Sequence, residues 1–284
     1  MGQGQKNRSK ILYGAVILVF FLVFFNLSLG WGEPEEKQTV QIVFFGDSSY
    51  GNIRDESAIP EQVGRLSGKT VFNAAFGGTS ASRQDRGQRL DRSFDSLSLA
   101  ALSKAICFED YGVQNTIRPT QDITWYFVET VKKLQGIDFS GVETIIIGHG
   151  LNDYYSGVSL ESDKDPMDEY TFAGALRSSL TALKQVNPSA RIVLLTPTYN
   201  WLTAGRQTCE EFDGGGGFLE AYVEKEIQVA AEMDVEVIDL YHDFFPHESW
   251  EDWMLYTEDG LHPNEAGRAW IAEKIADYLE GEIE

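Results

Sequence analysis

"TVQIVFFGDSSYGN", residues Thr39 to Asn52, decides how this chain folds. The run from Thr39 to Phe45 is predominantly apolar and unbroken from Ile42, the pattern of a strand buried on both faces. It breaks off into Gly46, Asp47 and two serines, a composition suited to a tight turn at a strand end. Ser48 is therefore either turn punctuation or a nucleophile. A nucleophile needs a base, an orienting carboxylate and donors for a developing oxyanion, and these must come from elsewhere in the chain.

Similar apolar runs recur at "TVFN" (Thr70 to Asn73), "ETIIIGHG" (Glu143 to Gly150), "RIVLLTP" (Arg191 to Pro197) and "VEVIDL" (Val235 to Leu240). Helical patterns lie between them. "IPEQVGRLSG" reads as a short helix, and Phe172, Leu176, Leu180 and Leu183 share one helical face. So do residues within the stretch from Phe218 to Met233, and Trp270, Ile271, Ile275 and Leu279 near the end. Buried strands alternating with helices predict a three-layer α/β/α sandwich around a parallel sheet of about five strands. Ligands of such folds bind outside the carboxyl ends of the strands, where "GDSS", "NAAFGG", "GHGLND" and "DGLH" would all fall. From Ala81 to Leu134 no strand pattern occurs, and helical spacing predicts a helical insertion at that end of the sheet. "GGGG" (Gly214 to Gly217) lacks the Lys and Ser/Thr of a phosphate loop and reads as a flexible joint.

With 284 residues and 43% hydrophobic content, the chain can build one large core. The expected organisation is an N-terminal segment (1–32), an acidic linker (33–38) and one catalytic-size domain (39–284). The N-terminal segment carries Lys6, Arg8 and Lys10, then an uncharged apolar run from Ile11 to Trp31. A run of just over about 20 residues can cross a hydrocarbon core, so it reads as a retained signal anchor, with a signal peptide cleaved after Gly30 as the alternative. Either reading puts the body outside the cytoplasm. A formal charge of −21 argues against nucleic acid as a partner, because phosphate binding requires Lys and Arg. Cys107 and Cys209 are equally compatible with a disulfide and with two free thiols. No Cys/His spacing matches a zinc site, and the acidic stretch Asp163 to Glu169 reads as a solvated loop.

Only four histidines exist: His149, His242, His247 and His262. His262 follows Asp259 by three residues, a spacing that lets a carboxylate hold one imidazole nitrogen and leave the other free to take a proton. The same residues also read as an Asp-Gly turn with Asn264 as a helix cap. His149 reads as a structural strand-end histidine. His242 and His247 fall in "YHDFFPHESW", which contains no carboxylate at the offset seen before His262, and the stretch reads as a surface loop with partly buried aromatics. Gly78 could bring a bare backbone N–H close to a substrate, and Asn152 offers a side-chain amide. Tyr154, Tyr155, Tyr199 and Trp201 follow strand ends and could line a pocket or enter the core.

Taken in order, Gly46-Asp47-Ser48, Gly78, Gly150 with Asn152 and Asp153, and Asp259 with His262 resemble the four blocks of the SGNH hydrolases, also called the GDSL family. The resemblance covers residues from about 39 to 282 and departs from the usual "GDSL" at Ser49. It implies Ser48 as nucleophile and first oxyanion N–H donor, with Gly78 and Asn152 as second and third donors. His262 would be general base and then acid, oriented by Asp259, with no cofactor and no metal. The expected activity is carboxylic ester hydrolysis through an acyl-enzyme, directed at short acyl groups on extracytoplasmic glycans. An O-acyltransferase, a lysophospholipase-like lipid esterase and a non-catalytic glycan-binding protein are the alternatives. The membrane, through the N-terminal helix, and an ester substrate are the expected partners.

Overall fold

The computed structural model describes residues 37–84, 93–202, 207–242 and 244–281. The N-terminal segment 1–32 and all but the last two residues of the 33–38 linker lie outside the described residues, and with them the expected membrane helix. Among the described residues, no helix is long and apolar enough to cross a membrane. Residues from Gln38 onward form one compact unit.

Its centre is a five-stranded parallel sheet. The chain forms β1 (Ile42–Gly46), β2 (Val71–Asn73), β3 (Thr144–Gly148) and β4 (Arg191–Leu195), then a two-residue antiparallel ribbon of β5 (Trp201–Leu202) and β6 (Gln207–Thr208), and finally β7 (Glu236–Ile238). The sheet order is β2-β1-β3-β4-β7, all parallel. β1 and β3 are buried at every position, as their unbroken apolar runs require.

The order explains where a site can form. From β1 the chain steps outward to β2, whereas from β3 it steps the opposite way to β4 and β7. Right-handed crossovers then place the intervening helices on opposite faces. Helix Ile59–Ser67 accordingly packs with the C-terminal helix Glu265–Glu280, while helix Phe172–Val186 packs with Leu99–Phe108 and Leu219–Glu232. The crevice where the two directions part lies beyond the carboxyl ends of β1 and β3, the usual ligand position of open α/β sheets. Gly46 and Gly148, the last residues of these strands, are paired in register. A side chain on either would run into the ring of Tyr50, which folds back beneath the turn.

The insertion between Ala81 and Leu134 is helical in its described part, with helices Ser93–Ser96, Leu99–Phe108 and Trp125–Leu134 and no strand. Leu99–Phe108 lies along Phe172–Val186, so it belongs to a helical layer rather than to the sheet's end alone. Two loop readings need correction. The glycines at 214–217 are packed rather than free: Gly215 and Gly217 donate to Asp213 Oδ1, and Gly214 leaves no room for a Cβ against the carbonyl of Tyr154. In "YHDFFPHESW" the aromatics lie deeper than partly buried loop residues would: Phe244 and Phe245 are buried in an aromatic cluster with Trp253, Tyr256 and Trp270, while His242, Pro246 and Glu248 stay exposed. Cys107 and Cys209 are both free thiols. Cys107 lies in helix Leu99–Phe108, and Cys209 is buried beside the Tyr241 hydroxyl.

Candidate active site

Ser48 opens a one-turn helix, Ser48–Gly51, directly after β1. Asp47 caps that helix with Oδ1, which accepts the N–H of Ser49 at 2.9 Å. The cap buries the Asp47 carboxylate, and burial raises its pKa to about 6 against the lowering pull of the Ser49 N–H and of His262. Ser49 also contributes its hydroxyl to that carboxylate, so the residue that stands in place of the usual leucine supports the turn by hydrogen bonding. Ser48 itself is a first-turn residue whose N–H has no intrahelical acceptor.

The 214 residues that separate Ser48 from His262 in sequence collapse to 3.0 Å between Oγ and Nε2. The other ring nitrogen, Nδ1, lies 2.8 Å from Asp259 Oδ2, and Asp259 Oδ1 accepts the N–H groups of Leu261 and His262. These bonds pull the Asp259 pKa below its ordinary value although partial burial opposes them. The loop carrying the pair is braced from both sides. The Gly260 carbonyl accepts Trp253 Nε1 and the Trp201 N–H, and Asn264 caps helix Glu265–Glu280 through the Gly267 N–H. The turn and cap of "DGLHPN" and the Asp259–His262–Ser48 contacts therefore coexist in one loop.

Gly78 and Asn152 meet across the crevice. Gly78 is in the left-handed region (φ 77°), where glycine is favoured, and a Cβ there would press 3.0 Å from the Phe94 ring. The Asn152 amide donates one hydrogen to the Thr79 carbonyl at 3.0 Å, leaving its second for another acceptor. Asp153, fully buried, locks the two segments together: its carboxylate accepts the N–H groups of Ala81 (2.8 Å) and Ser82 (2.9 Å) and the Ser82 hydroxyl (2.5 Å). Sequence reading placed Asp153 only in the motif. Its partners are some seventy residues away, and no local signal points to them.

The rival histidines separate cleanly. His149 is buried, with Nε2 3.4 Å from Thr79 Oγ1 and its pKa driven down to about 3 by burial, so it is a neutral structural residue. His242 requires a correction. A carboxylate does precede it by three residues: Asp239, just ahead of the quoted stretch, whose Oδ2 lies 2.7 Å from Nδ1. Of the four aromatic residues, Tyr154 and Tyr199 are core, while Tyr155 and Trp201 are half-buried. Trp201 meets Trp250 edge-on at 5.5 Å, and both touch Gly260 beside the Asp259–His262 pair.

A serine hydroxyl on an imidazole that a carboxylate orients, with a bare glycine N–H and an amide at the same crevice, has the parts of an acyl-transfer site. The GDSL-like lipase/acylhydrolase family matches residues 44–270. The chain belongs to that family. It is thus a serine ester hydrolase by family. Among solved structures, a Lactobacillus plantarum protein shares 20% identity over 86% of this chain and 98% of its own, with a TM-score of 0.61. A possible lipase from Chitinophaga pinensis shares 16% over 86% and 98%, with a TM-score of 0.56. A salicylyl-acyltransferase from a tetracycline biosynthetic pathway shares 14% over 88% of this chain and 56% of its own, with a TM-score of 0.52. At such identities these neighbours speak for the fold. No curated protein matches the sequence.

Proposed function

We propose that this GDSL-family enzyme removes short acyl groups, acetyl above all, from glycans outside the cytoplasm, using Ser48, His262 and Asp259. The observation that carries the catalytic reading is the 3.0 Å contact of Ser48 Oγ with His262 Nε2. Nε2 takes the hydroxyl proton as Oγ bonds to the ester carbonyl carbon. The carbonyl oxygen, now negative, is held by the N–H groups of Ser48 and Gly78 and the free Asn152 amide hydrogen. Collapse breaks the bond to the alcohol, which leaves with the proton from His262. Water then repeats the sequence on the acyl-enzyme and frees Ser48. Asp259 keeps the imidazole in the tautomer that presents a bare Nε2 and stabilises its charged form.

Support for the substrate is chemical. The strongly acidic body repels anionic headgroups and polyphosphates. The half-buried Tyr155 and Trp201 and the Trp250 ring offer flat apolar faces beside the dyad, the kind of surface on which sugar rings lie. The apolar segment 11–31 would hold the body at the outer face of a membrane, where glycans are at hand. The test is a chain-length profile on matched nitrophenyl esters, with acetate and butyrate turned over much faster than decanoate. A profile rising toward long chains would favour a lysophospholipase-like esterase.

A second reading, acyl transfer to a sugar hydroxyl in place of water, draws on the structural neighbour described as an acyltransferase. Product analysis with and without a glycan acceptor separates the two. A pure glycan-binding role is disfavoured by the assembled Ser48–His262–Asp259 set, which binding alone does not require.

A further inference from the structure

We propose that Arg54 and Tyr126 are positioning residues that fix the Gly78 N–H relative to Ser48, an inference that rests on the acyl-transfer reading of this site. The need for such a device follows from the sequence. Gly77 and Gly78 stand in succession, and two adjacent glycines leave the backbone more conformations than any other pair. An oxyanion donor is effective only when it is held in place before the reaction begins. Up to Phe76 the loop is held by β1, with Ala74 and Phe76 donating to the carbonyls of Phe44 and Gly46. Beyond Gly78 it is held by Thr79, whose carbonyl takes Asn152 and whose N–H returns to Phe76. Gly77 sits between these anchors, buried, with no strand partner.

Tyr126 supplies what the corner lacks. Its hydroxyl oxygen accepts the Gly77 N–H at 3.0 Å. Its ring lies beneath the Arg54 guanidinium, 4.4 Å from Cζ to the ring centre. Arg54 in turn donates Nε to the Gly51 carbonyl at 2.8 Å, Nη1 to Asn73 at 2.9 Å, and Nη2 to Ala75. Gly51 ends the short helix that Ser48 begins, whereas Asn73 and Ala75 lead into the glycine pair. One planar cation thus bonds the nucleophile turn to the oxyanion loop, and the aromatic ring stacked on it pins the corner. A lysine could not reproduce the fork or the stacking. Tyr126 belongs to helix Trp125–Leu134 of the insertion, so this inserted segment reaches into the catalytic geometry without itself offering a group to the substrate.

The experiment uses the full-length protein in mild detergent, comparing wild type, Tyr126→Phe and Ser48→Ala. Tyr126→Phe keeps the ring under Arg54 and removes the hydroxyl that accepts the Gly77 N–H and also meets the Arg54 side chain. We expect kcat on nitrophenyl acetate to fall about 10- to 100-fold with KM nearly unchanged, because a donor misplaced by a fraction of an ångström affects the transition state more than the bound ester. Amide hydrogen exchange in the 74–79 segment should accelerate, while the melting temperature moves little. Unchanged kcat in a folded Tyr126→Phe enzyme overturns the inference, as does a loss confined to KM. Failure of the acyl-transfer reading has a different signature: wild type hydrolyses no ester and takes up no fluorophosphonate at Ser48. Exchange in the 74–79 segment is read in every case, and its constancy in Tyr126→Phe overturns the proposed pin by itself.

Discussion

Asp239 Oδ2 lies 2.7 Å from His242 Nδ1, and Asp239 Oδ1 accepts the N–H groups of Tyr241 (2.8 Å) and His242 (3.1 Å). Bond for bond, this is the turn that joins Asp259 to His262. The difference lies at the far nitrogen: His262 Nε2 faces Ser48 Oγ, whereas His242 Nε2 faces Glu224 Oε1 at 3.8 Å. An Asp-x-x-His turn is thus a local device for orienting an imidazole, and only the fold decides whether a nucleophile meets it.

The first prediction follows from this pair. Burial works against a charged His242, but the Asp239 hydrogen bond and the acidic neighbours raise its pKa overall. A raised folded pKa contributes stability that is complete below the unfolded value, near 6.5, and fades as pH rises through the folded value. His242→Ala should therefore leave ester turnover intact and slightly lower the melting temperature at acidic pH only. Loss of activity in this variant would transfer the base role away from His262.

At the site itself, Ser48→Ala and His262→Ala should each cost on the order of 10⁶ in kcat, with Asp259→Asn costing less, about 10⁴, because the carboxylate orients rather than accepts the proton. Ser49→Ala should retain most activity, since its hydroxyl only supports Asp47. Side-by-side kinetics on nitrophenyl acetate check the series. Equal losses at Ser48 and Ser49 would reject the assignment.

Glu226 carries a stability prediction. Both its carboxylate oxygens are buried without a hydrogen-bond partner, and burial, with Asp153, Asp239 and Asp47 nearby, holds its pKa well above the ordinary range. An unsatisfied buried polar group costs about 1–3 kcal/mol, so Glu226→Met should stabilise the protein by an amount of that order at neutral pH. Because the folded state holds this proton more tightly than the unfolded chain, the wild-type penalty grows as pH rises above about 4.3, the unfolded value. Melting curves from pH 5 to 8 should diverge in favour of the variant; parallel curves would contradict the neutral carboxyl.

The thiols give a fourth test. Burial pushes the Cys209 thiol up to about 11, while Cys107 is half-buried. Iodoacetamide at pH 8 should modify Cys107 alone in the native protein and both cysteines after denaturation. Intact mass without reduction distinguishes this from a bridged form, which would take no label in either state.

Most of the architecture was legible because β1, β3 and β4 must be buried on both faces and are written in unbroken aliphatic and aromatic runs. The site was legible because four histidines leave few ways to assemble a base, and His262 has its carboxylate within one turn. What escaped notice was long-range or bounded by a window. Asp239 lies two residues before the stretch in which His242 was considered. Asp153 serves backbone groups of a loop that the sequence places far away. Phe244 and Phe245 belong to a cluster whose other members, Trp253, Tyr256 and Trp270, arrive from later segments, so two residues of a loop join the core. Pairings of this kind depend on tertiary approach, which local periodicity does not encode.

The buried Asp153 carboxylate has a thermodynamic corollary. Helix Leu151–Tyr155 and the 77–82 loop share one buried carboxyl group, and its burial keeps its pKa raised in spite of the three bonds it accepts. If either segment peeled away, the other would be left with buried polar groups stripped of their hydrogen-bond partners, so neither frays easily alone. Gly78 and Asn152, the two further oxyanion donors of the proposed mechanism, therefore form or melt as one cooperative unit, and thermal inactivation should be all-or-none at this corner of the molecule, without a partly competent intermediate.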